Sequence, residues 1–171
     1  MPSGSTNKVR IVDQEWLQHS FRAADLDVQN MTDELVIEHR LNPEQERAFR
    51  TIANHASCKN PERLQMYLGG MGGTGKSEVL KALAKFFERR HESHLFLVVA
   101  PTGSAASLLN GTTYHSTFGI SDFNDGDRAN LRNDAATKAR LMGVDYVFVD
   151  ETSMLSCRDL YLISESACRA L

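Results

Sequence analysis

The chain has 171 residues, a formal net charge of −3, and 24 % charged against 42 % hydrophobic residues, the proportions of one soluble domain able to bury a core. That charge excludes a global electrostatic pull toward nucleic acid or membrane, so any DNA contact must be a local surface. No apolar run approaches the ~20 residues of a membrane span, and the polar start has no signal-peptide core, which predicts a nuclear protein, with mitochondrial or cytoplasmic residence as the alternatives.

Residues 1–7 are rich in Ser, Gly, Thr and Asn, a composition that favours disorder. Residues 9–38 hold short apolar groups among charges; a helix over 13–24 with Trp16, Leu17 and Phe21 on one side is weakly periodic. Residues 1–40 are therefore read as an N-terminal tail or linker, partly disordered, and 41–171 as the domain. At Leu41 the pattern sharpens: Asn42 is an N-cap, Pro43 takes the first helical position, and Glu44 and Glu46 load the first turn. Ala48, Phe49, Ile52 and Ala53 give that helix an apolar face, and it ends near 55–59. Asn60-Pro61 breaks the chain before residues 64–68, predicted as a short strand.

That strand feeds Gly69-Gly70-Met71-Gly72-Gly73-Thr74-Gly75-Lys76-Ser77, which contains G-x-x-x-x-G-K-S. Glycines let backbone N–H groups converge on phosphate oxygens, and the next helix adds its positive end. Gly70, Gly72, Gly73, Thr74 and Gly75 form the cradle, Lys76 reaches the β- and γ-phosphates, and Ser77 can hold Mg²⁺. A helix from Lys76 to about Arg90 carries Val79, Leu80, Leu83, Phe86 and Phe87 on one face. Residues 95–100 are continuously apolar, as in a strand buried on both faces of a parallel sheet. After Pro101-Thr102-Gly103, a helix over 104–109 stops at Asn110-Gly111. Residues 121–127 read as a polar loop, 128–141 as moderately helical, 144–149 as another buried strand, and 155–171 as helical again.

Asp150-Glu151 follows that last strand. Ligands in open α/β sheets gather at the C-terminal strand ends, so Asp150 is predicted to hold Mg²⁺ opposite the glycine loop and Glu151 to deprotonate an attacking water. Alternating strands and helices predict an α/β fold with a parallel sheet flanked by helices, the P-loop NTPase arrangement. Cys58, Cys157, Cys168 and the six histidines show no zinc spacing, which reads as reduced, unligated thiols.

Five segments occur in the order seen in Pif1-type DNA helicases: Leu41-Asn42-Pro43-Glu44-Gln45, residues 70–77, residues 100–106, residues 111–120 and residues 150–155. The resemblance covers roughly 41–171 and extends to the Pif1-like part of Helitron-type transposon proteins. It implies a RecA-like lobe, the first of the two in superfamily 1B motors that use ATP and move 5′ to 3′, with roles in DNA repair, recombination and telomere maintenance. Gln45 then matches the glutamine that reads adenine. Thr102 and Gly103 match a motif touching the single-strand backbone, and His115 and Phe118 match the next motif along the DNA path. Each of these two has a bland alternative, a packed phenylalanine and a hydrogen-bonded histidine. Thr152 stands where the family often has Ile or Val. The resemblance also implies a second RecA-like lobe bearing an arginine finger, and nothing after Leu155 is long enough to supply it. These residues alone are expected to bind ATP and Mg²⁺, hydrolyse poorly and unwind nothing. A binding module without turnover and a small-molecule P-loop kinase are the rival readings.

Overall fold

In the computed structural model, residues 25–61, 63–120 and 135–170 are described; the expected helix over 13–24 and the loop over 121–127 lie outside them. Helix α1 (Leu26–Glu38) is N-capped by Asp25, whose side chain accepts from the Asp27 N–H. It does not behave as a linker. Leu35 is fully buried with the core residues of the next two helices, while Arg89 donates to Glu34 at 2.9 Å and to Glu38 at 2.6 Å. Val28, Met31, Thr32, Leu35 and Val36 share the core-facing side of this helix, but only Thr32 and Leu35 are fully buried and the apolar contrast along the helix is low.

Helix α2 (Pro43–Ala56) starts as expected, with a reciprocal capping box: Gln45 N–H donates to Asn42 Oδ1, and Asn42 N–H donates to Gln45 Oε1, both at 2.9 Å. Such a box satisfies two N–H groups that the helix itself cannot. Helix α3 (Lys76–Arg89) buries Val79, Ala82, Leu83, Phe86 and Phe87 against Phe49 and Ile52 of α2.

Three parallel strands follow: β1 (Phe96–Ala100), β2 (Thr112–Thr113) and β3 (Tyr146–Val149), in spatial order β2-β1-β3. Phe96 sits opposite Tyr146 and Val99 opposite both Val149 and Thr112. Side chains alternate across this sheet. Phe96, Tyr146 and Phe148 pack toward α1, α2 and α3, whereas Leu97, Val99 and Val149 face a second core. That second core is built from α5 (Tyr114–Phe118), α6 (described over 135–141) and α7 (Cys157–Ala170), through Tyr114, Phe118, Leu141, Ile163 and Ala170. The result is a small α/β domain, a three-stranded parallel sheet flanked by helices.

Two strand expectations are corrected. Residues 64–68 form no regular element and join no ladder among the described residues; Leu64 and Leu68 lean on the first core while Met66 and Tyr67 are exposed. A strand is defined by its partner, and apolar content alone does not supply one. Consequently β3 is an edge strand among the described residues and is only half-buried, with Val147 at 40 % exposure.

Helix α4 (Gly103–Ser107) returns the chain to β2 through Asn110, in left-handed backbone, and Gly111. Gly111 is required by a close approach: a Cβ there would lie 2.5 Å from the backbone oxygen of Val98 and 3.1 Å from its Cβ. Gly111→Ala is expected to destabilise the domain by about 1–3 kcal/mol, the usual cost of overpacking. Urea denaturation followed by circular dichroism measures this, and a variant as stable as the parent would contradict the contact.

Candidate nucleotide site and candidate nucleic-acid edge

Parallel pairing puts the C-terminal ends of the three strands on one edge of the sheet. Thr102-Gly103 leaves β1 there, Tyr114-His115 leaves β2, and Asp150-Glu151 leaves β3. These residues come from segments far apart in the chain, and the sheet alone assembles them.

The glycine loop lies between residue 68 and α3. Gly73 and Gly75 adopt φ of 79° and 80°, open to glycine without penalty, and Gly75 is the residue immediately before α3. A cleft of about 320 Å³ runs between this loop and the start of α2, lined by Gln45, Gly70, Thr74 and Lys76 together with Asn42 and Glu44. Four of the expected nucleotide residues therefore meet in one place. Asn42 and Glu44 were legible only as a cap and a first-turn charge; their second position follows from standing beside Gln45 at the same helix end. Gly72 and Gly73 are exposed on the loop.

Inside the site, polar side chains are already engaged, Thr74 Oγ1 donating to Met71 O at 2.8 Å. Lys76 Nζ turns back on the loop, donating to the carbonyls of Gly70 at 2.9 Å and Met71 at 3.0 Å. Gln45 Nε2 donates to Thr74 O at 3.0 Å and Gly75 O at 3.2 Å while its Oε1 serves the capping box. A Cβ on Gly75 would collide with that same Nε2. Gln45 thus ties α2 to the loop, a contact that motif spacing could not reveal. Behind the loop, Glu78 is held below the usual carboxylate range, chiefly by its hydrogen bond from Lys81, with His39 3.7 Å away.

Ser77, Asp150 and Glu151 do not line the cleft. Asp150 extends the ladder, its N–H donating to Val99 O at 2.9 Å, and its Oδ1 accepts from the Glu151 N–H at 2.9 Å. Glu151 itself stands in left-handed backbone, φ 51° and ψ 41°, uncommon for a non-glycine residue. Among the described residues its carboxylate has no hydrogen-bond partner, and neither has the Ser77 hydroxyl. One free oxygen on Asp150 and an uncommitted hydroxyl on Ser77 are hard oxygen donors of the kind Mg²⁺ takes, so the residues present fit that ion. Thr152 lies in the 3₁₀ turn Thr152–Met154 that follows.

At the C-terminal end of β1, Thr102 N-caps α4, its hydroxyl accepting from the Ala105 N–H at 3.2 Å, and both Thr102 and Gly103 are exposed. The His115 ring stacks on Tyr114 with centroids 3.9 Å apart and remains half-exposed. Phe118 is different. At 3 % exposure it belongs to the second core beside Tyr114 and Ile163, so its ring is not available to a base. The reason is geometric: four residues on from buried Tyr114, it shares the inner face of a short helix that packs on α7.

A family profile described as PIF1-like helicase matches residues 40–169. The chain is 31 % identical over 150 residues to the ATP-dependent DNA helicase PIF1 of Trypanosoma brucei brucei, covering 81 % of this chain and 14 % of that protein. It is 30 % identical over 138 residues to the ATP-dependent DNA helicase Pif1 of Bdellovibrio bacteriovorus, covering 79 % of this chain and 29 % of the relative. Over 84 residues it is 42 % identical to the ATP-dependent DNA helicase PIF7 of T. brucei brucei, covering 49 % of this chain and 7 % of that protein. The chain thus spans less than a third of the length of these relatives. No solved structure matches it.

Proposed function

This chain belongs to the PIF1-like helicase family, and we propose that it is the nucleotide-binding lobe of an ATP- and Mg²⁺-dependent helicase moving 5′ to 3′ on DNA. The observation that carries this reading is the cleft where Gln45, Gly70, Thr74 and Lys76 meet, in a domain whose strand β3 runs out into Asp150-Glu151. Gln45 reads adenine by exchanging its bonds to the Thr74 and Gly75 carbonyls and to the Asn42 N–H for the base edge, since an amide donates and accepts at once. Lys76 exchanges two backbone carbonyls for β- and γ-phosphate oxygens, a charge-assisted and stronger pairing. Ser77 and Asp150 would hold Mg²⁺, which supplies neutralising charge to those oxygens. Glu151 orients the attacking water and takes its proton. Thr102, Gly103 and His115 contact the single strand, with Phe118 packed in the second core. Repair, recombination or telomere maintenance in the nucleus is the setting in which we place such a motor.

A second lobe supplying an arginine finger is worth about 10³–10⁵ in rate, so these 171 residues alone turn ATP over slowly. One observation favours a second reading, a binding module without turnover: Lys76 and Gln45 are both engaged by the loop's own carbonyls. Calorimetric titration with MgATP beside a phosphate-release assay tests both. Lys76→Ala is expected to weaken MgATP binding roughly 10- to 150-fold, the worth of a hydrogen bond to a charged group. Equal binding by parent and variant would sink the phosphate assignment. Binding with no phosphate release above background would favour the second reading. Fast, DNA-stimulated release lost in Lys76→Ala would make the second lobe dispensable.

A further inference from the structure

We propose that Arg140 is a further contact for single-stranded DNA, an anchored guanidinium that takes a backbone phosphate beside His115. This rests on the DNA-binding reading of the His115 segment. Arg140 is exposed on α6, and its Nη1 donates to the backbone oxygen of Ser116 at 2.6 Å, across 24 residues of chain. Ser116 is the residue after His115, in the helix that leaves β2 at the ligand-facing edge of the sheet. The bond therefore brings a fixed positive charge to the segment that the phosphate backbone is read to pass.

Among the described residues its charge is also unpaired. Arg50, Arg89, Arg90 and Arg169 each pair with a carboxylate, whereas Arg40, Arg47, Arg63 and Arg158 have none among the described residues; Arg140 differs from the latter in being anchored. Arg140 faces none among the described residues, and its one partner is a neutral carbonyl. A guanidinium carries five N–H donors in a rigid fork, so a single bond to Ser116 orients the group and leaves most of its donors free. Anchoring through a carbonyl instead of a carboxylate positions the charge without neutralising it, which is what phosphate recognition requires. A helix-end cap for α5 explains the Ser116 bond, but that role needs no unneutralised guanidinium. In a chain of net charge −3, phosphate affinity has to come from such local cations, and exposed Lys138, two residues earlier on α6, adds to the same region.

The test is fluorescence anisotropy of a labelled oligo-dT of about 12 nucleotides, measured across a range of NaCl concentrations, for parent, Arg140→Gln and Arg140→Lys. For Arg140→Gln we expect weaker binding at low salt and a plot of log affinity against log salt shallower by about 0.7, one single-strand phosphate's worth of released counterion. Arg140→Lys, which keeps the charge, is expected to keep the parent slope. In the parent, the Arg140 Nε–Hε signal should shift in NMR spectra as oligo-dT is added, a readout that needs no variant to fold. Parent-like affinity and slope in Arg140→Gln, or an unmoved Arg140 signal while oligo-dT binds, overturns the proposal and leaves the DNA reading standing. An equal loss of slope in both variants assigns Arg140 to holding α5 and overturns it too. No oligo-dT binding by the parent defeats the DNA reading itself, and the Arg140 proposal with it.

Discussion

Replacing Phe87 with alanine is expected to destabilise the domain by about 3–5 kcal/mol, the usual cost of truncating a buried aromatic. Phe87 is fully buried and joins the α-helical layer to two strands. Its ring lies 5.6 Å from Phe86, 5.2 Å from Phe96 of β1 and 5.4 Å from Tyr146 of β3, measured between centroids. Truncation would open a cavity where α3 meets the sheet, and α3 is the helix that carries Lys76 and Ser77. Against a typical total of about 5–15 kcal/mol, such a loss is large enough to unfold a fraction of the protein at rest. A thermal midpoint lower by roughly 6–20 °C follows from about 2–4 °C per kcal/mol at this chain length. Exposed Leu108 is the control: its replacement by alanine should change stability by no more than about 0.5 kcal/mol. Calorimetry on both variants decides it, and a loss at Phe87 below that of an ordinary surface change would mean the helical layer is not seated on the sheet as described.

Changing Glu151 should separate chemistry from stability. With the proposed role as the base that activates water, Glu151→Gln is expected to lower ATP turnover by about 10²–10⁴ while MgATP binding stays near the parent value. Glu151→Gly should lose turnover equally. Its backbone, however, is left-handed at φ 51° and ψ 41°, a conformation costing a side-chain-bearing residue about 1–2 kcal/mol. Glycine removes that strain and gives back about 0.4–1 kcal/mol through its freer unfolded chain. The glycine variant should therefore be as stable as the parent or slightly more so. Strain retained at a functional position in this way is a known pattern. Single-turnover phosphate release with protein in excess, beside urea denaturation of the same samples, checks both halves. Unchanged turnover in Glu151→Gln would remove Glu151 from the chemistry, and a clear loss of stability in Glu151→Gly would mean the side chain is held by contacts beyond those described.

Much of the site could be read from one dimension, because its signals are local. A cap, a first-turn proline and an acidic turn announce α2; a glycine run followed by Lys76 and Ser77 announces the loop and α3; an apolar run ending in Asp150-Glu151 announces β3. Each depends on residues within a few positions of one another, so sequence by itself determined the α/β class, the motif order and the family. Tertiary structure decided everything that depends on who stands opposite whom. Residues 64–68 look like a strand and join no ladder among the described residues; residues 26–38 look like part of a linker and pack as α1 through Leu35 and the Arg89 ion pairs; Phe118 sits in a motif beside His115 and is turned into the core. Gln45 bridging to Thr74 and Gly75, and Arg140 reaching Ser116, join segments 29, 30 and 24 residues apart. Propensity and periodicity carry no information about such pairings, since these depend on how the sheet brings distant segments together.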